Sequence, residues 1–211
     1  MSGAFQPHEI EVESFRRLRK VLDLSGMGVL SAAVLERIVH ATADPSLVGD
    51  VVVQEGALAK AVAALGSNCD IVTDVEMTRA GLAVPLRQRA RCYLGEVVDP
   101  GPFGTRSAAA MHRAALAHPE GLFVIGCAPT ALFTLLELAA GGEVAPVFIV
   151  GMPVGFVGAT ESKEALARSG MECIYNRSMR GGSAMAAAAV NALHRNIPTN
   201  QGQTNQGQIS S

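Results

Sequence analysis

The sequence predicts an α/β domain built on a mostly parallel sheet with helices on both faces. Two observations carry this reading. Short β-rich runs at 69–75, 91–94, 122–125, 147–150 and 172–175 alternate with Ala- and Leu-rich segments of helical period around 57–65, 107–117, 130–139, 161–168 and 183–194; such alternation is the pattern of strand, crossover helix, strand. Glycine-rich turns stand directly before several of those helices, as parallel α/β units require.

The elements follow in order. Over 8–24, Ile10, Phe15, Leu18, Val21 and Leu22 recur at three- and four-residue spacings with Glu and Arg between them, so this is an amphipathic helix. Gly26 and Gly28 break it. Ser31 is placed to cap a second helix, whose stripe Val34, Leu35, Ile38, Val39 runs to a stop near Asp44 and Pro45. The strand and helix alternation then continues to about residue 195. Residues 1–7 read as an N-terminal extension, 8–195 as one domain, and 196–211 as a polar tail whose Gln, Asn, Gly, Ser and Thr cannot bury a core and are expected to be disordered.

Composition narrows the function. The chain has 211 residues, 49% hydrophobic, 17% charged and 4% aromatic, enough apolar residue for one sizeable core. Seventeen Lys and Arg stand against nineteen Asp and Glu, so no basic field exists for nucleic acid or an anionic membrane. Mean hydropathy is +0.27, yet the most apolar stretch, 121–138, is interrupted by Gly126, Cys127, Pro129, Thr130, Thr134 and Glu137 and reads as a strand followed by a helix. No basic segment with an apolar run and cleavage site opens the chain, so the expected location is cytoplasmic. Cys69, Cys92, Cys127 and Cys173 lack CxxC spacing and read as reduced core residues, leaving no metal site in view.

In an open parallel sheet, ligands bind outside the carboxyl ends of the strands, where the following helices begin. The turns there read Gly104-Thr105-Arg106-Ser107, Gly126-Cys127-Ala128-Pro129-Thr130, the run 151–158, and Gly181-Gly182-Ser183. Unsatisfied N–H groups at several adjacent helix starts suit a ligand with several carboxylates or phosphates, although each turn taken singly is also an ordinary cap. The run 151–158 lacks the Lys-Ser/Thr of a P-loop and the glycine spacing of a dinucleotide fingerprint, which disfavours a nucleotide-binding module.

His40 ends the second helix with Arg37 one turn earlier on the same face. Imidazole can give and take a proton near neutrality, and Arg37 could hold an acidic group beside it; a favourable contact of His40 with the helix dipole is the alternative. His8, His112, His118 and His194 have no Cys or second His at metal-ligand spacing. Asp74 and Glu76 read either as an acid/base pair or as the cap and first turn of a short helix.

The segments IEVESF (10–15), RIVHATAD (37–44), TDVEM (73–77), RCYL (91–94), GTRSAAA (104–110), APTALF (128–133), GMPVGFVGATESKEAL (151–166) and GGSAMAAAAVNAL (181–193) together resemble one family. It is the precorrin-8X methylmutase family, also called cobalt-precorrin-8 methylmutase, of cobalamin biosynthesis. The resemblance implies a flavodoxin-like three-layer fold and a homodimer with active sites at or near the subunit interface. It implies an isomerase that moves a methyl group from carbon 11 to carbon 12 of the corrin precursor, giving hydrogenobyrinic or cobyrinic acid without cofactor or protein-bound metal.

By the same resemblance His40 is the proton donor and Ser14 and Arg37 bind substrate; Thr105, Arg106, Ser107 and Thr130 are added as binding residues from their place in the matching turns. The product would pass to the next corrin enzyme, which amidates it. Cys127 departs from the family's usual Asn in the G-N-A-P-T-A-L turn. A non-enzymatic corrinoid carrier is the alternative reading.

Overall fold

The structure, a computed structural model, describes residues 7–198. The polar tail beyond Pro198 and the extension before Pro7 lie outside those residues. Two helices, α1 (Pro7–Val21) and α2 (Val29–Thr42), and a 3-10 turn (Pro45–Gly49) precede β1 (Val51–Val52) and α3 (Glu55–Gly66). Then come β2 (Ile71–Thr73), the short α4 (Glu76–Gly81) and α5 (Val84–Arg89), β3 (Ala90–Cys92), and two further 3-10 turns. The chain continues through α6 (Arg106–Ala117), β4 (Leu122–Ile125), α7 (Pro129–Ala140), β5 (Phe148–Gly151), α8 (Ala159–Arg168), β6 (Cys173–Asn176) and α9 (Ser183–Arg195).

The sheet order is β1-β6-β5-β4-β2-β3. All neighbours are parallel except β1, which pairs antiparallel with β6 through Val51 opposite Asn176. Numbered among themselves, the parallel strands run 2-1-3-4-5, the flavodoxin-like order, which reverses between β2 and β4. In such folds ligands bind outside the carboxyl ends of the strands at that reversal, here those of β2 and β4.

Alternation along each strand builds two cores. Ile71, Leu122, Val124, Phe148, Val150 and Ile174 face α2, α3 and α9, with Leu82 and Leu86 completing that layer. Val72, Phe123, Ile125 and Ile149 face α6, α7 and α8. Helices therefore cover both faces, as the sequence predicts.

Three local details differ from the sequence reading. Strand β1 is unforeseen, because two residues carry no periodic pattern. The short α5, begun by Ala83 and Pro85 ahead of β3, is likewise unforeseen. Ser31 does not cap α2: Gly28 is the N-cap and has no side chain to give. The free N–H groups of Leu30 and Ser31 instead meet the Glu55 carboxylate at 2.9 Å each, and the Ser31 hydroxyl donates to it at 2.6 Å. A Cβ at Gly28 would lie 2.2 Å from the Glu55 carboxyl carbon, so glycine is what admits this cap from α3.

Candidate functional site

The His40 site is assembled by α1 crossing α2. Ser14 and Phe15 project from α1 onto the last two turns of α2, where the Ser14 hydroxyl lies 3.0 Å from His40 Nδ1. The Phe15 ring stacks on the imidazole at 4.5 Å between centroids and 15° between planes. The Arg37 guanidinium lies 4.7 Å from the same Phe15 ring and donates to Glu11 at 2.9 Å. Serine on one ring nitrogen and phenylalanine on one ring face fix the imidazole's direction, and Nε2 makes no hydrogen bond among the described residues. The i, i+3 spacing of Arg37 and His40 puts both on the strip of α2 that α1 covers.

This strip ends at the carboxyl edge of the sheet. The left-handed C-cap Ala43 terminates α2, and the next residue, Asp44, pairs with Arg180 at 2.5 Å in the loop after β6. Helix α1 packs mainly on α2, and its Glu11 reaches Arg195 of α9 at 3.5 Å. Its other side exposes Ile10, Val12 and Val21 and borders a shallow groove of about 260 Å³ lined by Ile10, Glu13, Ser14 and Arg17.

A second group gathers where α6 and α7 begin. Thr105 caps α6 by accepting from the Ala108 N–H at 3.1 Å, and its hydroxyl donates to Thr130 at 3.0 Å, in the first turn of α7. Arg106 spends two donors on the carbonyls of Val97 (2.8 Å) and Leu94 (3.1 Å), so its guanidinium is anchored to the preceding loop. Ser107 lies half-buried in the first turn of α6. Thr105 and Thr130 are thus brought together, as are Ser14, Arg37 and His40; no hydrogen bond or ion pair among the described residues joins the two groups.

The short helix with Glu76 in its first turn is present as α4, but its N-cap is Val75 and Asp74 is turned to another task. Asp74 follows β2 at the carboxyl edge, is 3% exposed, and accepts the N–H groups of Gly126 (3.2 Å), Cys127 (2.7 Å) and Ala128 (2.9 Å) after β4 and the hydroxyl of Thr78 (3.0 Å). Its carboxylate holds the turn that starts α7. Glu76 faces Arg79 at 2.8 Å instead, so the two acids form no pair. Cys127, expected in the core, is exposed on this turn, and partial burial together with the Asp74 charge pushes its thiol above the usual range. The other three cysteines are half-buried.

The loops after β5 and β6 meet over a buried polar chain that sequence reasoning missed. Lys163 is fully buried on α8; its ammonium donates to the carbonyls of Pro153 (3.1 Å), Ser178 and Arg180 (2.7 Å) and to Asn176 Oδ1 (3.2 Å). Asn176 Nδ2 donates in turn to Asp50 at 3.0 Å, and Asp50 also accepts from the Ser178 N–H (2.8 Å), the Arg177 N–H (3.1 Å) and the Ser178 hydroxyl (2.6 Å). The signal was present: Ala159, Ser162, Lys163 and Leu166 fall at helical spacing on the buried face of α8, and a lysine there must find acceptors.

His118 sits at the opposite, amino edge, with Nδ1 3.0 Å from Asp70 and Nε2 2.9 Å from the Tyr93 hydroxyl, so both its ring nitrogens are engaged away from the His40 site.

Residues 9–196 match the family described as precorrin-8X methylmutase. The cobalt-precorrin-8 methylmutase of Methanothermobacter thermautotrophicus is 40% identical over 195 residues, covering 89% of this chain and 92% of that protein. The precorrin-8X methylmutase of Pseudomonas aeruginosa is 41% identical over 191 residues, covering 86% and 91%. Among solved structures, the precorrin-8x methyl mutase of Thermus thermophilus superposes with a TM-score of 0.81 at 32% identity, over 89% of this chain and 95% of that one.

Proposed function

Because the chain belongs to the precorrin-8X methylmutase family, and is an isomerase with it, we propose that it moves the methyl group from carbon 11 to carbon 12 of the corrin precursor with His40 as proton donor. The observation that carries this reading is the Ser14 to His40 hydrogen bond. In the protonated imidazole both nitrogens are donors. Nδ1 then donates to Ser14, and Nε2 carries the proton that reaches a ring nitrogen or carbon of the substrate. That proton favours the tautomer in which the methyl migrates as an intramolecular 1,5-shift, a step that takes no electrons from outside the ring.

Binding follows the substrate's shape, a flat apolar ring fringed by carboxylates. Arg37 is held ready by Glu11 and Phe15. Arg106, the Thr130 hydroxyl, which accepts from Thr105 and so keeps its own proton for a ligand, the Ser107 hydroxyl and the N–H groups of Arg106, Ser107 and Thr130 supply donors at the carboxyl edge. The groove beside Ser14 is shallow and open, and α1 leaves Ile10 and Val12 uncovered, which supports a homodimer whose second subunit completes the site. No helix among the described residues is long and apolar enough to cross a membrane. The reading places the enzyme in the cytoplasm, handing its product to the next, amidating enzyme of the pathway.

Identity is nearly equal to relatives named for cobalt-precorrin-8 and for precorrin-8X, 40% and 41%, so the test uses both rings. Purified protein is mixed in excess with each substrate and absorbance is followed through one turnover. Appearance of the conjugated product spectrum is expected, and the faster ring names the natural substrate. A tight coloured complex that never converts, with either ring, would overturn the reaction in favour of a corrinoid carrier.

A further inference from the structure

We infer that Lys163 is a positioning residue for substrate binding: its buried ammonium gathers the carbonyls of Pro153, Ser178 and Arg180 and thereby sets the loops after β5 and β6 in the conformation that receives the corrin carboxylates. This rests on the corrinoid reading of the carboxyl edge.

Three carbonyl dipoles aimed at one point repel each other unless a cation stands there. An apolar side chain of similar length would fill the same space but leave the three carbonyls and Asn176 Oδ1 without a donor, so what the ammonium supplies is the setting of those acceptors and not the volume. Its effect is on the loops. No peptide bond among the described residues is cis, and in a trans peptide the N–H points opposite to the C=O. Turning those three carbonyls inward therefore turns the N–H groups of Val154, Met179 and Gly181 away from Lys163. None of these three has a hydrogen-bond partner among the described residues, and Val154 and Met179 are 44% and 49% exposed. They are unclaimed donors on the two loops that flank the edge where the ligand is expected.

The loops are also locked to each other. The Gly155 N–H donates to Met179 O at 3.1 Å and the Gly182 N–H to Met152 O at 2.9 Å. A Cβ at Gly181 would lie 2.3 Å from Met152 O, so only glycine allows this approach. Asn176 bridges the ammonium to the Asp50 carboxylate, and Arg180 approaches that carboxylate at 3.5 Å. Lys163, on the opposite side of the loops from the ligand, acts through them and does not touch substrate.

The test is Lys163→Met, with three readouts. Backbone hydrogen exchange over 152–158 and 176–182 is expected to quicken in both loops together. The dissociation constant for the product, from absorbance titration with hydrogenobyrinic acid, is expected to rise about tenfold, the equivalent of one lost ionic contact. The single-turnover rate at saturating substrate stays within about threefold of wild type, because His40 and Ser14 lie on α1 and α2. Wild-type product affinity, unchanged exchange, or a loss confined to the saturated rate would each overturn the proposal.

If Lys163→Met does not fold, wild type at pH 7 and pH 9.5 decides. Burial draws the Lys163 ammonium down to about 8 against the opposing pull of Asp50, the charged group that acts on it, and the Arg180 guanidinium approaches that same carboxylate at 3.5 Å. Loss of that proton should weaken product binding and loosen both loops beyond the intrinsic change in exchange rate; unaltered affinity and exchange across the interval would sink the idea. The exchange readout needs no corrin, so a wild-type protein that bound none would refute the corrinoid reading while the clamp itself was still being measured.

Discussion

Ser14 Oγ and His40 Nδ1 meet at 3.0 Å although 26 residues and a helix boundary separate them. The bond fixes which imidazole nitrogen faces outward, and the 15° stack with Phe15 fixes the plane in which it does so. A proton donor held in one direction needs no reorganisation at the moment of transfer. The cost is dependence on α1, whose main support is α2.

His40→Ala should therefore bind product within a few-fold of wild type and lose about 10²- to 10⁴-fold in single-turnover rate, the usual contribution of general acid catalysis. Ser14→Ala should lose less, about tenfold, since Phe15 still stacks on the ring. Turnover of His40→Ala at the wild-type rate would remove the proton-donor role.

Much of the fold was legible because its signals are local. Strands β2, β4, β5 and β6 are apolar runs within or overlapping the predicted ranges, and α6, α7 and α9 carry their period over a dozen residues. Arg37 and His40 were visible as one face of one helix. Their partners were not: Glu11, Phe15 and the hydroxyl of Ser14 reach them from another helix, through a crossing that no spacing encodes. The same holds for Glu55 capping α2 across 24 residues and for Asp74 holding the turn at 126–128, where the donor and acceptor meet only because β2 and β4 are neighbours in the sheet. Lys163 differs in kind, since its place on the apolar stripe of α8 was readable and its acceptors alone required the structure.

Asp74→Asn should destabilise the protein by about 2 kcal/mol, because an amide offers one acceptor oxygen where two carboxylate oxygens now serve four donors, and its NH₂ would face an N–H. Urea unfolding followed by circular dichroism measures this as a lowered midpoint with unchanged slope. An unchanged midpoint would mean that the α7 turn holds itself.

Among the four cysteines, Cys127 alone is exposed, so a thiol reagent added to the native protein should label it first. Labelling should be slower at pH 7 than for a free cysteine, since burial and the Asp74 carboxylate both disfavour the thiolate, and should quicken at higher pH. Bound product should protect it if the corrin occupies the carboxyl edge. Equal labelling with and without product would move the ligand away from the α7 turn.

The Glu55 cap gives stability a specific dependence on pH. Hydrogen bonds from the Ser31 side chain and from the Leu30 and Ser31 backbone hold the Glu55 carboxyl below its ordinary 4.5, outweighing burial. A carboxyl lowered in the folded state contributes fully above the unfolded value, and that contribution is lost as pH falls through the folded value. Glu55 is solvent-exposed, so the capping contribution is modest, about 1 kcal/mol after screening. The unfolding free energies of wild type and Glu55→Gln should therefore differ by that amount at pH 7 and converge as pH falls from about 4.5 through the lowered folded value. A difference that persisted once the carboxyl was protonated would show that the substitution acts through packing at Gly28 and not through the charge at the start of α2.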